Sequence, residues 1–133
     1  MEFKKKGTLF IPTTPVLLEF TSTIDQPMKP ITGKMYLFLN TGDVSRNRVH
    51  EIHTLSNTYL QKGRLINPLQ GHVLKVKVPY KYDKVTCKVL GNKALQELVK
   101  GDVVTVVVEY CGVWEVNGYC GPSWKLSSLE TCQ

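Results

Sequence analysis

A mainly β fold in a single domain is what this sequence predicts, on three observations. The run Val103-Val104-Thr105-Val106-Val107-Val108 is close to pure valine, and branched Cβ atoms fit the pleat of a buried sheet. Asn117-Gly118 follows that run and supplies the positive φ angles of a tight two-residue hairpin turn. Finally, Leu74, Val76 and Val78 alternate with Lys75 and Lys77, the period of a half-buried strand. A chain of 133 residues, 42% apolar and 21% charged, is large enough for one core and too apolar for disorder. Residues 1–133 are therefore read as one domain, with residues 1–6 a flexible basic tail.

Taken in order, Thr8 to Ile11 and Val16 to Ile24 read as extended segments divided by Pro12 and Pro15, because proline cannot donate to a ladder. Gln26-Pro27 through Pro30-Ile31 reads as a turn-rich connection, and Lys34 to Asn40 as a compact apolar strand. Ser45 to Lys62 is the best helix, capped by Asp43 or Ser45, with Val49, Ile52, Leu55, Tyr59 and Leu60 near helical period. His72 to Tyr82 is a strand ended by Pro79, and Val85 to Leu90 another. A short helix, Lys93 to Lys100, is expected to lay Leu95, Leu98 and Val99 over the end of a barrel. No repeat, low-complexity tract or composition break interrupts the chain.

Charge points to the class of partner. A formal charge of +6 favours polyanions, nucleic acid above all, through release of condensed counterions. No segment reaches the ~18 consecutive apolar residues of a membrane span, and the start of the chain lacks the pattern of a signal peptide. The expectation is an intracellular protein, in cytoplasm or nucleus, with no membrane partner and with Cys87, Cys111, Cys120 and Cys132 as reduced thiols. The cysteines lack zinc spacing, and His50 and His53, at i and i+3, have no evident third ligand. Both histidines are expected on the surface, and neither a metal nor a cofactor is expected.

Two stretches mix aromatic rings with lysine. Tyr80, Lys81, Tyr82 and Lys84 interleave directly after Pro79. Rings that stack on bases beside cations that follow phosphates are the mixture single-strand binders use; a lysine-protected sheet edge has the same composition. In the hairpin, strict alternation from the Asn117-Gly118 turn sets Cys111 opposite Trp124. It puts Tyr110, Trp114, Tyr119 and Lys125 on one exposed face and Cys111, Val113, Trp124 and Leu126 on the core face. Gly112, Gly121 and Pro122 mark places where a bulge would alter that assignment.

Leu95-x-x-Leu98-x-x-Gly101-Asp102, the strand after it, and Gly112-Val113-Trp114 before a glycine hairpin resemble the OB-fold. More closely, GVWEVNGYCGPSWKLSSLE is similar to the C-terminal signature of single-stranded DNA-binding proteins of large DNA viruses and some phages. The similarity runs from Asn92 onward; Cys120 and Pro122 flank Gly121 where that signature has other residues. The resemblance implies a five-stranded barrel; with the elements read above, the expected fold is an OB-like five-stranded barrel with extra N-terminal strands and one or two helices. It also implies no catalysis, and the coating of single strands in replication or recombination inside a host cell.

The residues offer no rival chemistry. No glycine-rich run precedes a Lys-Ser or Lys-Thr pair, no Cys-His-acid set stands out, and Glu109, Glu115 and Glu130 form no acid–base pair. The expected function is non-enzymatic binding of single-stranded nucleic acid, with DNA favoured over RNA and no strong sequence preference. Tyr80, Tyr82, Tyr110, Trp114 and Tyr119 are expected to stack, and Lys75, Lys77, Lys81, Lys84, Lys88 and Lys125 to contact phosphate. The alternative is a non-catalytic module that uses the barrel to hold a peptide or partner protein, and self-association stays open.

Overall fold

A computed structural model describes residues 8–10, 12, 14–31, 33–55, 64–81 and 84–131. The fold is mainly β. Its strands are β1 (Thr8–Phe10), β2 (Val16–Ile31), β3 (Lys34–Asn40), β4 (Arg64–Leu65), β5 (Leu69–Gln70), β6 (Val73–Val78), β7 (Tyr80–Lys81), β8 (Lys84–Val85), β9 (Lys88–Leu90), β10 (Val103–Val116) and β11 (Tyr119–Thr131). Helix α1 (Asp43–Leu55) follows β3, and one 3-10 turn, Leu95–Glu97, precedes β10.

Five strands close into a ring. β10 pairs with β2, β2 with β3, β3 with β6, β6 with β11, and β11 returns to β10. All these pairings are antiparallel except β6 with β11, a narrow parallel seam at Lys77 opposite Lys125. This is the OB-like barrel the sequence leads one to expect. Alternate residues fill it: Leu37 and Leu39 from β3, Leu74, Val76 and Val78 from β6, Val104, Val106 and Val108 from β10, and Trp124, Leu126 and Leu129 from β11 are all buried. Closure removes the open edges that long valine strands would otherwise offer to other chains. No helix among the described residues is long and apolar enough to cross a membrane.

Several boundaries differ from expectation, each for a local reason. The stretch through Pro27 and Pro30 is strand, not a connection, with register shifts between Ile24 and Gln26 and between Gln26 and Lys29. Pairing of β2 with β10 ends at Thr23; beyond it the strand has only β3 as a ladder partner, and a one-sided strand with bulges tolerates proline. Helix α1 starts at Asp43, inside the first turn where a carboxylate suits the helix dipole. It is described to Leu55, so the expected continuation to Lys62 lies outside the described residues. The expected Val85–Leu90 strand is two pieces, β8 and β9, split where Thr86 N–H donates to the Pro79 carbonyl. The helix expected from Lys93 to Lys100 is a single 3-10 turn. Leu95 and Leu98 are buried as expected, whereas Val99 is half exposed. Asp102 stops that helix early: its carboxylate accepts from Val99 N–H and pairs with Lys93 at 3.0 Å, which holds its acid below the usual carboxylate range.

Candidate nucleic-acid interface

Two sets of aromatic residues belong to the barrel, one inside and one outside. The hairpin decides the inner set. Asn117 (φ 51°) and Gly118 (φ 82°) form the predicted turn, and Val116 faces Tyr119 and Trp114 faces Gly121 as strict alternation requires. The register then shifts between Tyr110 and Gly112, so Tyr110, not Cys111, lies opposite Trp124. Gly112 takes a φ of 101° there, open to glycine but strained for other residues. One extra residue flips every side chain on the far side of it. Tyr110 is consequently buried, not exposed, and leaves the expected stacking surface.

Inside, Tyr110 packs on Trp124 with ring centroids 5.1 Å apart and planes tilted by 48°, within the separation at which aromatic pairs attract. His53, reaching in from α1, closes the group at 6.1 Å from Trp124 and 6.5 Å from Tyr110. Trp124 Nε1–H donates to His53 Nε2 at 2.9 Å. An indole N–H only donates, so a neutral imidazole with its proton on Nδ1 is required. Burial, helped by the nearby charge of His50, lowers the His53 pKa from 6.5 to about 4. His50 is exposed as expected, whereas His53 belongs to the core. No group of three or more metal-ligating side chains occurs among the described residues.

Outside, β3 and β6 present a different surface. With Leu37 and Leu39 turned inward, Tyr36 and Phe38 are the outward residues of β3. Across the ladder Tyr36 faces Lys77 and Phe38 faces Lys75. The row through Tyr36 continues on both sides, to Lys29 on β2 and past Lys77 to Lys125 on β11. Lys125 in turn meets Glu109 at 3.6 Å. Two half-buried rings thus sit among four ammonium groups on one outer face. Burial lowers the Lys75 pKa and raises that of Tyr36.

Three predicted lysines, Lys75, Lys77 and Lys125, come together on this face, although Lys125 is far from the others in sequence. Lys88 lies along the same side of β11, paired with Ser128. Lys81 and Lys84 pair with each other in the small β7–β8 ladder, where Tyr80 is exposed opposite Val85; Tyr82 lies outside the described residues. Trp114 is half-buried and Tyr119 exposed on the β10–β11 hairpin, beside Gly121. A Cβ at Gly121 would collide with the Ile66 carbonyl, so glycine is what lets the segment after β4 close over that strand.

Tyr36, Phe38 and Lys29 were not among the expected contacts. The signal was present in KMYLFLN, where Tyr36 and Phe38 alternate with Leu37 and Leu39. An uninterrupted apolar-looking run hides its period when aromatic rings are counted as core. Comparison with protein-family models, with characterised proteins and with solved structures finds no match to this chain.

Proposed function

We propose that the outer face of β3 and β6 binds single-stranded nucleic acid without strong sequence preference, DNA in preference to RNA, and that the protein is not an enzyme. The observation that carries this reading is the placement of Tyr36 and Phe38 among Lys29, Lys75, Lys77 and Lys125 on one face of an OB-like barrel. Rings stack with any base, and ammonium groups track the phosphates between them. OB-folds use the face of their second and third strands, flanked by the connections between strands one and two and between strands four and five. Here β3 and β6 are the second and third strands of the ring. The flanking connections are the turn at Gly33 and the Asn117-Gly118 turn, the latter bringing Trp114 and Tyr119.

A second feature supports an anionic ligand. Lys77 and Lys125 are direct partners across the seam, which sets two lysines side by side where a phosphate backbone would run. The Tyr80, Lys81 and Lys84 hairpin follows directly on β6 and extends the basic track; Lys88 extends it along β11.

The test is a titration of labelled oligothymidine by anisotropy at several salt concentrations. Four lysine–phosphate contacts predict a slope of log K against log salt of about −2.8, from roughly −0.7 per contact on single strands. No binding at low salt overturns the reading, and tight binding with a flat salt response points to a peptide or protein partner instead.

A further inference from the structure

Both outward rings of β3 are covered in the free protein by its own ammonium groups. Lys29 Nζ stands 5.0 Å from the centroid of Phe38, and Lys75 Nζ 4.9 Å from that of Tyr36. Such contacts are attractive, because the negative face of the ring draws the cation. Neither lysine lies over the ring directly opposite it in the ladder: Lys29 faces Tyr36 and Lys75 faces Phe38, so each reaches diagonally to the neighbouring ring. Diagonal neighbours across a ladder are within reach of long side chains. Lys29 is also held by Gln26, whose Oε1 accepts from Nζ at 2.7 Å.

We propose that Lys29 and Lys75 are displaceable caps, each leaving its ring when a base stacks there and moving to an adjacent phosphate. The inference rests on the single-strand reading and deepens it, because it assigns the same two lysines opposing effects on affinity. A covered ring face is closed to a base, so uncovering it costs the cation–ring attraction. An ammonium that leaves the ring is at once available to the backbone that carries the base. Burial already disfavours the charge of Lys75, and exchange returns it to an anionic partner. The caps also shield two half-exposed rings from apolar contacts when no strand is bound.

The consequence is a crossing of two salt curves. Threonine at both positions supplies the branched side chain a strand favours and is too short to reach a ring. For the double variant Lys29→Thr/Lys75→Thr, the salt slope falls by about 1.4, two contacts at roughly 0.7 each. Near 1 M salt the phosphate contribution vanishes and the open rings dominate. The variant there binds oligothymidine more tightly than the parent, by about two- to five-fold per uncovered ring. At 50 mM salt the lost phosphate contacts dominate and it binds about ten-fold more weakly. A variant weaker at every salt concentration makes the lysines phosphate contacts only and overturns the caps. An unchanged slope overturns them as well, since the lysines then never reach the backbone. Failure of the parent to bind sinks the single-strand reading, and the exchange with it. Lys29→Thr alone, at an exposed site, repeats the comparison if the double variant does not fold. The caps have a readout without ligand: ring currents shift the side-chain methylene protons of Lys29 and Lys75 upfield in the free protein, and oligothymidine abolishes the shift. Unshifted signals in the free protein overturn the proposal directly.

Discussion

The inner and outer aromatic groups of this barrel each contain a tyrosine and do different work. Tyr110, Trp124 and His53 face one another in the interior, where each ring's neighbour is another ring. Tyr36 and Phe38 face outward, where each ring's neighbour is a lysine. The neighbours differ because one set points into the barrel and the other out of it. A buried ring contributes through area and fit; a ring on the surface among cations is placed where a base can stack on it.

The largest effect expected from this contrast is on stability. Trp124→Ala removes the largest fully buried side chain and should cost about 3–5 kcal/mol, read as a lower urea midpoint. Trp114→Ala, at a half-buried position on the hairpin, should cost much less. Equal losses would mean that the two tryptophans are not separated into core and surface.

Acid should then act on the inner group through His53. The unfolded chain protonates this imidazole below about pH 6.5, while the folded chain resists until about 4. Its contribution is therefore complete above 6.5, is lost as pH falls towards 4, and falls no further below that. The whole loss is about 3 kcal/mol. His53→Gln keeps an acceptor for Trp124 and does not titrate, so its stability should be nearly flat across that window apart from carboxylate effects common to both proteins. A parent as flat as the variant would show that the imidazole is not held neutral.

The smallest effect separates the outer group. Tyr36→Ala and Phe38→Ala should each cost about 1–3 kcal/mol of oligothymidine affinity with little change in thermal stability. Thr21→Ala and Thr105→Ala, which face each other on the outer side of the β2–β10 pair, should leave binding unchanged. Loss of binding from the threonine face would move the strand's path to the other side of the barrel.

Much of this architecture was legible before any tertiary contact was known. The valine run of β10, the Asn117-Gly118 turn and the lysine alternation of β6 are local signals, and local signals are enough where side-chain period and turn chemistry agree. The burial of Leu74, Val76, Val78 and Trp124 follows from them. The outward pair Tyr36 and Phe38 was legible in principle, since a period of two runs through KMYLFLN; aromatic residues that count equally as core and as surface concealed it. The early start of α1 and the shortness of the Leu95–Glu97 turn depended on where Asp43 and Asp102 found partners, at His72 and at Lys93.

What the sequence determined by itself was composition, strand periodicity and the hairpin turn, because each is set by residues within a few positions of one another. Tertiary structure alone decided two things. The bulge at Cys111 and Gly112 turned Tyr110 inward, and a register shift is chosen by how two strands and the core beneath them fit together. The parallel seam brought Lys125 beside Lys77, joining strands that β7 to β10 separate in sequence. Gly112 marked where a bulge could fall, but nearby residues choose neither event, since the free energy that selects it comes from closing the ring.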